Sequence, residues 1–206
     1  MWAHTKETQD KITPQMALEY LKEGNRRFQD NLKADRNQLK QVNQTSEGQY
    51  PFATVLSCID SRTSAELIFD QGLGDIFSIR IAGNVVNDDI LGSMEYACGL
   101  AHSKVIVVLG HTKCGAVISA CNHLVYGHFS GLIRKIKPAV RQETSTFQAR
   151  NGQNLDFVRN VSVLNVKHTL HQIRTNSSIL RSLEEAGTIL LVGALYDIDT
   201  GTVTFF

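Results

Sequence analysis

A chain of 206 residues, 42% apolar and 20% charged, is long enough to bury one large core, and a single globular unit is the default expectation. Its 21 Lys and Arg against 20 Asp and Glu leave a formal charge of +1, without the basic surplus that draws a protein to nucleic acid or anionic lipid. The opening MWAHTKETQDKITPQ lacks the apolar core of a signal peptide and no apolar run approaches a membrane span, so a cytoplasmic protein with no membrane insertion is expected.

Thr13 followed by Pro14 reads as a helix start, a capping hydroxyl and then a proline whose missing N–H costs nothing at the first helical position. Ala17, Tyr20, Leu21 and Phe28 then share one face. The stretch NLKADRNQLKQVNQTSEGQY is polar throughout and reads as a connecting segment. Residues 1–45 are thus expected to form a helical arm laid on the main body or on another subunit, and 46–206 the α/β domain that carries the chemistry.

From Pro51 the pattern changes to short apolar, β-branched runs, FATVLSC, DIFSIRI, KVIVVLG and TILLVGA, which have the character of buried parallel strands. Between them SAELIFDQG, NDDILGSMEYACGLAH and CGAVISACNHLVYG are helical in character, and the region from Leu132 to Ala186 places Val163, Val166, Leu170 and Ile173 at helical spacing. The expected architecture is a three-layer α/β/α domain with a central mostly parallel β-sheet and an N-terminal helical arm.

Four cysteines, Cys58, Cys98, Cys114 and Cys121, stand in a chain of a size that needs no disulfide staples, so free thiols in metal-binding or catalytic roles are favoured. Cys58 and His111 both fall at carboxyl ends of strands, where open parallel sheets bind ligands, and Cys114 opens the helix after His111. Two sulfurs and one imidazole suit tetrahedral zinc, with water, substrate or the nearby Asp60 carboxylate as fourth ligand. Arg62 would hold Asp60 in place. Taken singly, each of these residues has an ordinary reading, a buried thiol or a surface ion pair; it is their joint placement at two strand ends that points to a site. Cys98 and Cys121 lie within helical stretches and read as core. Other motifs fail on spacing: Ser64 stands where a cysteine phosphatase needs its Arg, Cys-x-x-Cys is absent, and GLGDIF puts Phe77 where a dinucleotide fingerprint needs Gly.

The pairing of CIDSR with a downstream HTKC resembles the β-class carbonic anhydrases, in their plant-like branch. The likeness runs from about Thr13 to Phe206 and includes ALEYLKEGNRRF, DIFSIRIAGN, SMEYA and LVGALYDIDTGTV. It implies one zinc ion per subunit on Cys58, His111 and Cys114, with Asp60 and Arg62 as the dyad governing the fourth position. It also implies a carbon dioxide and bicarbonate pocket shaped by Gln49, Phe77, Ala82, Tyr96 and Gly115, with Gln49 donated by another subunit. Ala82 departs from the branched apolar residue common in plant enzymes, and Val55 replaces the Trp of an allosteric branch, so that branch's regulatory site is expected to be absent. The implied activity is reversible hydration of carbon dioxide to bicarbonate and a proton by metal-bound hydroxide, in a homo-oligomer that is a dimer at minimum, with a tetramer open. Asp60 could itself reach the zinc at low pH if Arg62 released it. The same ligands would equally serve a hydrolase of carbonyl sulfide or carbon disulfide, separable by substrate competition. A zinc-bearing regulatory module is the third reading; the Asp60 and Arg62 pair weighs against it, because a closed structural site has no use for one.

Overall fold

The structure is a computed structural model that describes residues 3–206. Five strands, β1 (Ala53–Ser57), β2 (Ile76–Arg80), β3 (Val105–His111), β4 (Leu190–Tyr196) and β5 (Val203–Phe205), form a sheet in the order β2-β1-β3-β4-β5. The first four are parallel to their neighbours, and β5 runs antiparallel on β4. The mostly parallel sheet expected from the apolar runs is therefore present.

Alternation along β3 explains the layers. Val105, Val107 and Leu109 face one side, where they meet helix α2 (Pro14–Gln29) and the short α4 (Ala65–Ile68) through Ala17, Leu21, Ile68 and Phe69. Ile106 and Val108 face the other, against α5 (Asp88–Glu95), α8 (Leu155–Asn176) and α9 (Ser178–Glu185). Helices α6 (Gly115–Cys121) and α7 (Phe129–Gln142) extend that second layer over the carboxyl ends of the strands. Each fully buried Val, Leu or Ile contributes about 1.5–3 kcal/mol of apolar transfer, which is why both faces of a parallel sheet must be covered. Gly110 marks where α8 lies closest: a Cβ there would stand 2.7 Å from Val166 Cγ2.

The arm lies against the main body and contains helices that its polar residues do not announce. Helix α2 is capped by Thr13, whose side chain accepts the Met16 N–H, and it seats Ala17 and Leu21 in the core of the main body. Arg27 in its last turn and Arg36 beyond its end both bond the buried Asp70 carboxylate at 2.5 Å. The polar stretch expected to be a connector contains a further helix, α3 (Gln38–Thr45), capped by Asn37 accepting the Lys40 N–H. Its one buried residue is Gln41, not an apolar stripe, so hydrophobic periodicity cannot reveal it. A single turn, α1 (Lys6–Asp10), precedes α2, closed by a capping box on Thr5 and Thr8.

Several helices are shorter than their sequence pattern suggests. SAELIFDQG yields only the four residues of α4, and α6 stops at Cys121, with His123 in the left-handed region at φ 55°. The region from Leu132 to Ala186 is divided where the buried Glu143 carboxylate gathers Ser145, Thr146 and Arg150 into a tight loop. Among the described residues, no helix is long and apolar enough to cross a membrane.

Candidate metal centre

The chain leaves β1 for β2 on one side of it and returns for β3 on the other, so β1 and β3 enclose the topological switch point of the sheet. Cys58 follows β1, His111 ends β3, and Cys114 caps the start of α6. All three are buried, and their donor atoms lie within 4.8 Å of one another. The two sulfurs are 3.9 Å apart. A tetrahedral zinc with bonds of about 2.3 Å would hold two sulfurs about 3.8 Å apart, so the spacing suits that ion.

The imidazole is prepared in the same sense. His111 Nδ1 lies 2.9 Å from the Thr112 carbonyl, an acceptor that puts the proton on Nδ1 and leaves the lone pair on Nε2. Nε2 is buried and has no hydrogen-bond partner among the described residues. A buried, orphaned acceptor costs about 1–3 kcal/mol unless something else engages it.

The thiols divide one charge between them. Cys58 is held well below the usual thiol range, chiefly by the hydrogen bond from the Cys114 thiol and further by the Gly83 N–H. Cys114 moves the other way, because it donates to the Cys58 thiolate and is itself buried. The protein alone thus favours one thiolate here; a divalent cation among the three donors is what would let both ionise. Cys98 and Cys121, by contrast, are pushed up to about 12 and about 11 by burial, as expected of core thiols.

Asp60 stands at the rim, its Oδ2 4.0 Å from His111 Nε2. Arg62 grips both carboxylate oxygens, Nε to Oδ1 at 2.8 Å and Nη2 to Oδ2 at 2.7 Å, while its backbone N–H adds a third bond at 3.0 Å. That guanidinium holds the Asp60 carboxyl down at about 2, so it is ionised and can only accept. Any state with Asp60 on a metal would first have to break this fork.

Several supports of the centre leave no motif in the sequence. The Gly83 N–H donates to Cys58 Sγ at 3.3 Å from a turn in which Gly83 and Asn84 both have positive φ. Asn165 of α8 fastens that turn by donating to the Gly83 carbonyl at 2.8 Å. Arg80 and Thr63 bond the carbonyls of Cys58 and Asp60. Gly83 and Arg80 lie in IRIAGN, a stretch whose signal is its family likeness and not its chemistry. Gly83→Ala is expected to cost about 1–3 kcal/mol in denaturant unfolding, because φ is 68° and the new Cβ would lie 2.6 Å from Ile136 Cδ1; wild-type stability would contradict this.

The remaining expected pocket residues are spread out. Gly115 follows Cys114 at the start of α6, and Ala82 leads into the Gly83 turn, so both adjoin the centre. Phe77 and Tyr96 pack edge to face with ring centroids 6.1 Å apart, but Phe77 is in register with Thr54, about 13 Å along the strand from Cys58. Gln49 is exposed and precedes the start of β1, at the opposite end from Cys58. Within one chain these three do not stand beside the metal-binding group.

A parallel sheet with Cys-x-Asp-x-Arg at one strand end and His-x-x-Cys at the next defines the β-carbonic anhydrase class. The solved β-carbonic anhydrase CafA of Aspergillus fumigatus shares the fold with a TM-score of 0.71, at 27% identity over 80% of this chain and 79% of that one. The carbonic anhydrase of Mycolicibacterium smegmatis is 36% identical over 192 residues, covering 92% of each chain. Carbonic anhydrase 2 of Mycobacterium tuberculosis is 36% identical over 194 residues, covering 91% of this chain and 90% of that one. The carbonic anhydrase family profile matches residues 53–203. The chain belongs to the carbonic anhydrase family, in its β class.

Proposed function

We propose that this enzyme holds one zinc ion per subunit on Cys58, His111 and Cys114 and uses it to hydrate carbon dioxide reversibly to bicarbonate and a proton. The observation that carries the reading is the convergence of two thiols and an unpartnered imidazole nitrogen, with an ionised carboxylate 4.0 Å from that nitrogen. Zinc bound there would act as a Lewis acid and make a nucleophile available from water near neutral pH. The rest of the work belongs to the chain. Asp60 Oδ2, held anionic by Arg62, accepts a hydrogen bond from the attacking group and so turns its lone pair toward the substrate. Val85, Ala116 and Val117 pack with Cys58 and Cys114, an apolar lining that suits an uncharged, linear substrate and limits water.

The proposal includes a dimer. Gln49, Phe77 and Tyr96 lie away from their own Cys58, and β2 is an edge strand beside an open groove of about 720 Å³ lined by Phe77, Ile79, Asp88, Gly92 and Tyr96. A second copy meeting this edge would bring these three residues to the neighbouring centre, completing a pocket with Ala82 and Gly115. A cytoplasmic setting completes the reading, since a reducing compartment keeps Cys58 and Cys114 available for metal.

The test is stopped-flow carbon dioxide hydration at about pH 8.5, above the range near 7 in which a zinc-bound water ionises. Metal content should be about one zinc per chain. Rapid turnover should vanish on chelation and return with zinc. Bound zinc without hydration would overturn the assignment and move attention to carbonyl sulfide or carbon disulfide.

A further inference from the structure

We propose that Arg80 is a positioning residue of the centre, setting where Cys58 and Asp60 stand relative to each other and to the sheet. The inference rests on the reading of Cys58 as a metal ligand and Asp60 as the acceptor.

Arg80 is the last residue of β2, in register with Ser57 at the end of β1. Its guanidinium reaches across to the next loop, Nε donating to the Cys58 carbonyl at 3.1 Å and Nη2 to the Asp60 carbonyl at 2.6 Å. One rigid, planar cation thereby spans both residues whose side chains do different jobs, one a metal donor and the other a hydrogen-bond acceptor. Thr63 bonds the same two carbonyls through its hydroxyl, at 3.1 and 2.9 Å, but from within the loop. Arg62 likewise fixes the Asp60 carboxylate to its own loop only. Neither can set the position of that loop against His111 and Cys114, which belong to β3 and α6. Arg80 can, because it comes from a strand of the sheet. The Ile81 N–H to the Ser57 carbonyl at 3.1 Å and the Gly83 N–H to Cys58 Sγ continue the same seam.

The side chain of Arg80 is exposed, so its removal leaves no cavity and should barely alter melting. Displacing a reacting group by about 1 Å costs up to about 100-fold in rate, and a loosened loop should lose about tenfold. For Arg80→Ala the expected result is a kcat about tenfold lower, KM changed by less than about twofold, and displaced visible ligand-field bands in the cobalt(II)-substituted protein. Arg80→Lys, whose ammonium keeps the charge but lacks the planar fork of two nitrogens, should fall between wild type and Ala, and added guanidinium ion should restore part of the Ala variant's turnover. Cobalt bands and kcat identical to wild type would overturn the proposal, as would a loss of kcat that merely follows loss of folded protein in thermal melts. Failure of the wild-type protein to bind cobalt or zinc would instead remove the metal-centre reading, and this proposal with it.

Discussion

His111→Ala and Cys58→Ser are each expected to abolish metal binding and carbon dioxide hydration together, with a loss of zinc affinity beyond the 10–100-fold range typical of removing an outer hydrogen-bond partner. The reason is the closeness of the set: three buried donors within 4.8 Å, with no fourth His or Cys grouped with them among the described residues. Losing the imidazole leaves two thiols that already compete over one charge, Cys58 lowered and Cys114 raised. Losing Cys58 removes the thiolate that the Gly83 N–H and the Cys114 thiol favour. Metal analysis by mass spectrometry, beside stopped-flow rates and circular dichroism, separates loss of metal from loss of fold. Cys121→Ser serves as the control, a buried thiol with no ligand company that should keep both zinc and turnover. Full activity with zinc retained in either ligand variant would refute the assignment.

Asp60→Asn is the second large effect, and it should divide the two properties that the first pair removes together. Zinc content should stay at wild-type level, because the metal's donors are untouched, while kcat falls about 100-fold, the lower end of what one preorganised hydrogen-bond partner supplies. The substitution conserves shape but places an amide able to donate where an oxygen that can only accept is needed, and it dissolves the two-oxygen grip of Arg62. With its carboxyl at about 2, Asp60 is charged throughout the neutral range, so an inflection of wild-type rate near neutrality belongs to another group. Unchanged kcat in the variant, measured at several pH values on zinc-replete protein, would remove Asp60 from the reaction.

Much of the centre is legible in the amino-acid order. The β1 and β3 runs are short, β-branched and uninterrupted, and buried parallel strands admit few other side chains, so their ends and the residues there stand out. Cys58, Asp60, Arg62, His111 and Cys114 can be named because metal chemistry needs particular atoms, whatever the fold around them. Helix α3 gives no such signal, since one buried Gln41 leaves no apolar period. Helix α4 gives too strong a one, since SAELIFDQG is apolar enough for a longer helix but turns at Asp70, in the left-handed region at φ 44°.

The sequence by itself determined which residues are candidate metal donors, the strands that end in them and the family the chain belongs to. Tertiary structure alone decided the rest. Strand order puts β1 beside β3, which makes residues 58 and 111 neighbours. The same order leaves Phe77 on an edge away from its own centre. It also brings Arg80, Gly83, Thr112 and Asn165 to the site through backbone N–H and carbonyl groups. Every residue but proline carries both of those groups, so their use leaves little mark on composition or spacing, and only the folded chain shows which of them meet.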